Sequence, residues 1–233
     1  MITLRKAEDR FHTDAGWLDS WHTFSFGGHF DAKHAGFRSL LVINDDTVAP
    51  GMGFPQHGHR DMEIISYVVD GALAHEDSMG NGGVIRPGDV QRMSAGSGIR
   101  HSEMNAAADA PVHFLQIWIT PDGKHEPGYA QIHVEDAAKR DTLKLVASGR
   151  ATSKDAPVTV HADADLYASL LSAGARVEHA LAAGRHAWIH VVKGAVRVND
   201  AAMKTGDGAA VSDVAHVAIE ATDASEILVF DLA

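Results

Sequence analysis

The sequence predicts an all-β protein built of two tandem antiparallel β domains of the barrel or jelly-roll kind, with a few short helices. Short apolar runs separated by Gly, Pro and Asp recur along the 233 residues, whereas amphipathic helical stretches are scarce. The second half of the chain repeats motifs of the first half in the same order, which indicates a duplicated domain. A chain of 233 residues is long enough for two domains that each bury a core.

The first strands are predicted from apolar runs that end at turn residues. Residues 37–43 predict a strand that ends at Asn44-Asp45-Asp46, and residues 62–69 predict a second strand. Asp70-Gly71 predicts a hairpin turn because both residues tolerate positive φ, and the return strand covers residues 72–76.

Further turns and one long strand complete the first half. Turns are predicted at residues 81–83 (Asn-Gly-Gly) and 87–89 (Pro-Gly-Asp), and a strand over residues 112–119. Residues 121–128 contain Pro, Gly and charged side chains, a composition typical of a domain exit. Short helices are predicted at residues 134–139 and 166–171.

The internal repeat sets the predicted domain division. Residues 67–73 resemble residues 190–196, and Arg86-Pro-Gly-Asp89 resembles Lys204-Thr-Gly-Asp207. We therefore predict an N-terminal domain over residues 1–133 and a C-terminal domain over residues 134–233.

Composition excludes several kinds of site. The chain has no cysteine, so a metal must be held by His, Asp or Glu, and the 16 histidines offer many such ligands. A net charge of −11 opposes direct nucleic-acid binding. No apolar run approaches the ~18 residues of a membrane span. We expect a cytoplasmic protein that binds neither membranes nor nucleic acid.

Two short segments carry potential metal ligands at matching spacing. His57 and His59 are two residues apart, as are His101 and Glu103, and glycines flank both pairs. Residues at this spacing on a strand project from the same face, so three imidazoles and one carboxylate converge if the two strands face each other. Such a set suits Fe(II), Mn, Ni, Cu or Zn and leaves positions open for catalysis. Glu63 has the same strand parity and is either a further ligand or an acceptor that orients a histidine.

The repeat predicts that the second domain lacks this site. The positions that correspond to the four candidate ligands hold apolar residues, namely Ala180, Ala182, Ile219 and Ala221. One metal per chain is therefore expected.

The same residues resemble the two motifs of the cupin family. Gly51-x5-His57-x-His59-x3-Glu63, followed by Gly71, is similar to the first motif with one additional residue before the last glycine. Gly98-x2-His101-x3-Asn105 is similar to the second motif, with Gly96 at the position where a proline is usual.

Longer stretches resemble bacterial pirins. They are residues 16–26 (Gly-Trp-Leu-Asp-Ser-Trp-His-Thr-Phe-Ser-Phe), 57–63, 75–81 and 93–103 (Met-Ser-Ala-Gly-Ser-Gly-Ile-Arg-His-Ser-Glu). The resemblance implies a bicupin with one metal in the N-terminal domain, held by His57, His59, His101 and Glu103. The resemblance also implies that Glu63 is not a metal ligand.

The resemblance implies a function. Bacterial pirins of this subgroup are similar to quercetin 2,3-dioxygenases, which insert both atoms of dioxygen into a flavonol, open its central ring and release carbon monoxide. The implied cofactor is one divalent transition metal, Fe(II) first, with Cu, Mn, Ni, Co and Zn as alternatives. Glu103 is the implied proton acceptor. The alternative is a metal-dependent, redox-responsive pirin-type regulator that binds protein partners.

Two aromatic residues complete the predicted site. Phe54 and Phe114 are candidates for the wall of a substrate pocket, and Glu63 is a candidate for a position beside the ligands or the pocket.

Overall fold

The computed structural model describes residues 1–151 and 156–233 and is dominated by β-strands. Its helical elements are two 3₁₀ turns, Ala7–Asp9 and Ala32–His34, and one α-helix, α1, at Asp136–Lys139. No helix within the described part of the chain has both the length and the apolar character that a membrane crossing requires. The prediction of an all-β fold is confirmed.

The chain forms two compact units. The first unit comprises residues 11–133 and 160–162, and the second comprises residues 1–10, 134–159 and 163–233. Residues 1–10 lie in the second unit, whereas the predicted division placed them in the N-terminal domain. The reason is that the first strand pairs with residues Gly208–Val211, about 200 positions further along the chain.

The first unit contains a seven-stranded and a four-stranded antiparallel sheet. In chain order its strands are β2 (Phe11–Asp14), β3 (Leu18–His22), β4 (Leu40–Val48), β5 (Gly53–His59), β6 (Glu63–Asp70), β7 (Leu73–Asp77), β8 (Gly82–Ile85), β9 (Asp89–Ser94), β10 (Ile99–Asn105), β11 (Val112–Ile119) and β12 (Gly128–His133). The larger sheet has the order β12-β9-β6-β11-β4-β3-β2, and the smaller sheet has the order β5-β10-β7-β8.

The second unit repeats this arrangement. Its strands are β1 (Ile2–Arg5), β13 (Lys144–Ser148), β14 (Val158–Thr159), β15 (Ala164–Leu171), β16 (Arg176–Ala180), β17 (His186–Lys193), β18 (Ala195–Val198), β19 (Ala201–Lys204), β20 (Gly208–Val211), β21 (His216–Ala221) and β22 (Ser225–Leu232). The sheet orders are β1-β20-β17-β22-β15-β13-β14 and β16-β21-β18-β19. Strands β17 and β20 thus occupy the positions of β6 and β9, as the sequence repeat predicts.

Apolar side chains from both sheets pack together inside each unit. In the first unit Val48 and Phe114 from the large sheet form one buried cluster with Leu73 and Ile85 from the small sheet. This packing follows from strand alternation, which directs every second side chain toward the facing sheet.

Three local predictions are wrong. Asp70-Gly71 does not close a hairpin, because β6 pairs with β9 and β11 while β7 pairs with β8 and β10. The chain instead turns a corner from one sheet to the other at Gly71. This residue has φ +80°, and a β carbon on it would lie 2.7 Å from the Pro111 carbonyl oxygen.

The other two errors concern element type and length. Residues 166–171 are part of strand β15 and not a helix, because β15 lies between β13 and β22 and is buried on both faces, which hides the alternation of a strand. Residues 44–46 are not a turn. They continue β4, in which Asn44 and Asp46 occupy buried, inward-facing positions.

Candidate metal centre and its cavity

The two predicted ligand segments are neighbouring antiparallel strands. In the pairing of β5 with β10, His101 lies opposite His57 and Ile99 lies opposite His59. The register shifts between His101 and Glu103, so Glu103 lies opposite Phe54. The sequence places His57 and His59 on one face of β5, and the pairing brings that face beside the buried face of β10.

Three histidines form a compact cluster of nitrogen ligands. One ring nitrogen from each of His57, His59 and His101 lies within 4.8 Å of the others. The Nε2 atoms of His57 and His101 are 3.1 Å apart. His57 donates its Nδ1–H to the carbonyl oxygen of Pro55 at 2.9 Å, which leaves Nε2 directed toward the other rings. Within the described residues, this is the one group of three such side chains close enough to share an ion.

Burial keeps two of these imidazoles neutral. Desolvation, together with the neighbouring charge of His57, lowers the pKa of His59 to about 4. Desolvation lowers the pKa of His101 to about 2, with further contributions from His57, His59 and His75. A neutral imidazole offers a lone pair, so both rings are in the protonation state that a metal requires.

Glu103 lies outside this cluster of three nitrogens. Its carboxylate accepts hydrogen bonds from Ser66 Oγ at 2.7 Å and from Gln116 Nε2 at 2.6 Å. Burial raises the pKa of Glu103 to about 7, although both hydrogen bonds lower it. Glu103 is therefore a buried carboxyl that exchanges its proton near neutral pH, and it lines the same cavity as His57 and His59.

Glu63 is directed away from the histidines. Its Oε2 accepts from Ser94 Oγ at 2.9 Å and from the backbone N–H of His161 at 3.1 Å. These contacts anchor the segment 160–162 to the first unit. Glu63 is absent from the residues that line the cavity, because β6 presents it at the end of the sheet beside β9.

The two predicted pocket aromatics occupy different environments. Phe54 lines the cavity and packs edge-on against Trp17, with ring centroids 5.3 Å apart. Phe114 is fully buried in the apolar cluster with Val48 and Leu73, and it is not a wall residue. Phe54 packs against the same cluster but is only partly buried, so it also reaches the cavity.

A cavity of about 260 Å³ opens beside the cluster. Trp118 lines this cavity and packs beside the histidines, with its ring centroid 5.0 Å from that of His59 and 5.4 Å from that of Phe26, both edge-on. The lining combines these aromatic rings with Glu103 and Gln116. A planar aromatic ligand with a few polar groups suits such a lining.

Sequence reasoning missed a set of polar residues on the cavity wall. They come from β3 and β4 and comprise Ser20, His22, Asn44 and Asp46. The sequence carries a signal for them, since Asn44 and Asp46 continue the alternation of buried Leu40 and Val42. The Asn-Asp-Asp composition is typical of a turn, and it therefore masks the alternation.

His75 is another residue that the sequence did not assign to the site. It is buried, and its ring centroid lies 5.1 Å from that of His101 and 5.2 Å from that of Tyr129. Neither ring nitrogen has a hydrogen-bond partner in the structure. Desolvation lowers its pKa, so it contributes a neutral ring behind His101.

Comparison with known proteins identifies the family. Residues 4–119 match the family model described as Pirin, and residues 145–232 match the model described as the quercetinase C-terminal cupin domain. A quercetin 2,3-dioxygenase of Escherichia coli K12 is 45% identical over 233 residues, which cover 100% of this chain and 99% of that protein. The chain belongs to the pirin family. The resemblance drawn from the motifs is confirmed.

Solved pirin structures show the same fold. The crystal structure of YhhW from Escherichia coli has a TM-score of 0.95 and 44% identity, and the match covers 100% of this chain and 98% of that chain. A structure of YhhW in complex with nickel(II) has a TM-score of 0.93 at 44% identity, covering 100% and 99%. A quercetin 2,3-dioxygenase from Acinetobacter baumannii shares the fold at 23% identity, with a TM-score of 0.80 and coverage of 98% and 85%.

Proposed function

We propose that this pirin is a metal-dependent dioxygenase that cleaves flavonols such as quercetin, with incorporation of both atoms of dioxygen and release of carbon monoxide. The observation that carries the proposal is the cluster of His57, His59 and His101 beside an aromatic-lined cavity that also contains Glu103. The relative named quercetin 2,3-dioxygenase, at 45% identity over its whole length, supports the same reaction.

The donor set fits a divalent transition metal. Three imidazole nitrogens within 4.8 Å of one another match the ligand type that Fe, Ni, Cu and Zn accept. We assign His57, His59 and His101 as ligands and Glu103 as the fourth, because each oxygen of a carboxylate has two lone pairs and here shares one with Ser66 or Gln116. Fe(II) is the proposed ion, with Cu, Mn, Ni, Co and Zn as alternatives, and nickel(II) is present in the YhhW complex.

The proposed site belongs to the first unit, and the second unit is assigned no metal. In the second unit the strands β16 and β21 contribute Val177, Val217 and Ile219 to an apolar core. We therefore propose a metal-binding first unit and a degenerate second unit, with residues 1–10 belonging to the second unit and not to the first as the sequence predicts.

The residues around the cluster have distinct proposed roles. The divalent ion supplies Lewis acidity, which lowers the pKa of a coordinated hydroxyl. Glu103 accepts the proton of the flavonol 3-hydroxyl, and its pKa of about 7 suits transfer in either direction near neutral pH. Ser66 and Gln116 fix the two carboxylate oxygens during that transfer. Trp118 and Phe54 pack against the flat rings of the substrate and exclude water.

Metal analysis coupled to an oxygen electrode tests the proposal. The purified protein is loaded separately with each candidate ion, and oxygen uptake is recorded with a panel of flavonols. We expect uptake with at least one ion, together with carbon monoxide release, and loss of both in His101→Ala. A folded, metal-loaded protein without uptake on any flavonol would overturn the enzyme proposal in favour of a pirin-type binding protein. Turnover that persists without oxygen would indicate non-oxidative chemistry.

A further inference from the structure

A row of polar side chains crosses the large sheet of the first unit at one register level. Ser66 on β6 lies opposite Gln116 on β11, Gln116 lies opposite Asn44 on β4, and Asn44 lies opposite His22 on β3. The first two members hold the Glu103 carboxylate. Neighbouring strands are about 4.8 Å apart, so His22 is about 10 Å across the sheet from Gln116. The row therefore leads from Glu103 to a separate part of the cavity wall.

Hydrogen bonds fix the far end of this row. His22 Nδ1 lies 2.8 Å from Asn44 Oδ1, which can only accept, so His22 carries its proton on Nδ1. Its Nε2 then accepts from the Thr13 hydroxyl at 2.9 Å, and Thr13 Oγ1 in turn accepts from His29 Nε2 at 3.1 Å. Asn44 is thereby held in one orientation at the cavity surface.

The next inward-facing positions of the same two strands provide a carboxyl group. Ser20 on β3 and Asp46 on β4 are register partners, and the Ser20 hydroxyl donates to Asp46 Oδ1. Both residues are buried within the fold and line the cavity. A buried carboxyl that faces a cavity needs a hydrogen-bonding ligand or water there, because leaving its polar atoms unpaired is costly.

Ring contacts connect this region to the histidine cluster. The Trp118 ring contacts the His59 ring, the Phe26 ring contacts Trp118, and the His22 ring lies 5.3 Å from Phe26. The cavity wall combines these flat rings with the polar side chains of β3 and β4.

We propose that Asp46, held by Ser20, and Asn44, held by His22, form a second recognition site that binds a phenolic hydroxyl of the substrate. This inference rests on the proposed function, which supplies an aromatic substrate anchored at the histidines. The site selects planar aromatic compounds that carry an additional hydroxyl on a ring distant from the metal-binding oxygen.

The chemistry of the wall favours a hydroxyl over other polar groups. Asp46 can accept a hydrogen bond, whereas Asn44, whose Oδ1 accepts from His22, keeps its Nδ2–H2 group as a donor. Together they suit a hydroxyl, which both donates and accepts. A carboxylate on the ligand at this position would be repelled by ionised Asp46. Burial is the main cause that raises the pKa of Asp46 to about 7, with the Glu103 and Asp45 charges adding to it. The carboxyl is therefore partly protonated near neutral pH, which weakens its attraction for a cation.

A cycle of two ligands and two proteins tests the inference. The ligands are quercetin and 3-hydroxyflavone, which share the 3-hydroxyl and 4-keto groups but differ in every other hydroxyl. Binding to nickel(II)-loaded protein is measured by calorimetry without oxygen, for the wild type and Asp46→Asn. Asp45→Asn is the matched control, because Asp45 is adjacent on β4 but faces away from the cavity and pairs with His113 at 2.6 Å.

We expect the wild type and Asp45→Asn to bind quercetin at least tenfold more tightly than 3-hydroxyflavone. Asp46→Asn loses most of this preference by weakening quercetin binding, while its affinity for 3-hydroxyflavone and its nickel content stay unchanged. A second variant, Ser20→Ala, reduces the preference for quercetin by a smaller factor, because Asp46 loses the hydrogen bond that orients its carboxyl group. An equal preference in Asp46→Asn and wild type, or no preference in the wild type, overturns the recognition site.

Measurements of oxygen uptake distinguish a failure of the recognition-site proposal from a failure of the dioxygenase proposal. Turnover of both flavonols without any hydroxyl preference would retain the dioxygenase and overturn the recognition site. Binding that depends on the distant hydroxyl and on Asp46, without oxygen uptake, would retain the recognition site and overturn the dioxygenase. Failure of wild-type protein to bind either compound would overturn both.

Discussion

The Nε2 atoms of His57 and His101 lie 3.1 Å apart on paired positions of neighbouring strands. The pairing of β5 with β10 therefore places these two ring nitrogens side by side. Strand alternation brings His59 to the same face of β5 as His57.

Removal of one cluster histidine should abolish stable metal binding. We expect His101→Ala to contain less than about one tenth of the wild-type metal after dialysis, since one of the four proposed ligands is lost. Metal content per chain is the measurement. His133→Ala is the control, because His133 is a half-exposed histidine paired with Asp89 and should keep full metal content. Equal loss in both variants would contradict the assignment.

Replacement of Glu103 should remove turnover. Glu103→Ala eliminates both the proposed fourth ligand and the proton acceptor, so we expect flavonol-dependent oxygen uptake to fall by about 100-fold or more and metal binding to weaken. Glu103→Gln tests the proton role with less change in shape. Glu63→Gln is the matched control, since Glu63 is equally buried but bonded to Ser94. Near-normal uptake in Glu103→Gln would exclude Glu103 as the acceptor.

The raised pKa of Asp46 predicts a pH dependence of stability. Its pKa rises from an ordinary value of 3.8 to about 7 on folding, mainly through burial. The native state therefore binds a proton that the unfolded state has released between these values, so this group's contribution to stability is lost as pH increases from about 4 to 7. Asp46→Asn removes the effect.

We expect Asp46→Asn to be more stable than the wild type by about 2–4 kcal/mol at pH 8 and nearly equal to it at pH 4. Urea unfolding at each pH measures the difference. Asp45→Asn is the control variant. If the difference in free energy of unfolding between Asp46→Asn and the wild type does not vary with pH, the assigned pKa is refuted.

The different environments of Phe114 and Phe54 predict different mutant effects. Phe114 is fully buried between the sheets, so we expect Phe114→Ala to lower the free energy of unfolding by about 3–5 kcal/mol. Phe54 lies on the cavity wall, and Phe54→Ala should cost less stability but raise the KM for flavonols. Urea unfolding and steady-state kinetics on both variants check the contrast, which would fail if Phe54→Ala were the more destabilising.

Local patterns predicted the cluster of histidines, whereas pairing between distant strands decides the rest of the cavity. The two-residue spacing of His57 and His59 requires only a strand, so the sequence was sufficient to identify them. The corner at Gly71 could not be distinguished from a hairpin, because the choice depends on strands β9, β11 and β10 that lie far along the chain. Asp46 was missed for a related reason, since a buried carboxyl is explained only by the Ser20 hydroxyl and the cavity that face it.

The pairing of β1 with β20 has a consequence for synthesis of the chain. Residues Ile2–Arg5 are synthesised about 200 residues before their partners Gly208–Val211. During that interval β1 has no native neighbour. The large sheet of the second unit therefore cannot be completed until β20 has been synthesised, whereas all strands of the first unit lie within residues 11–133.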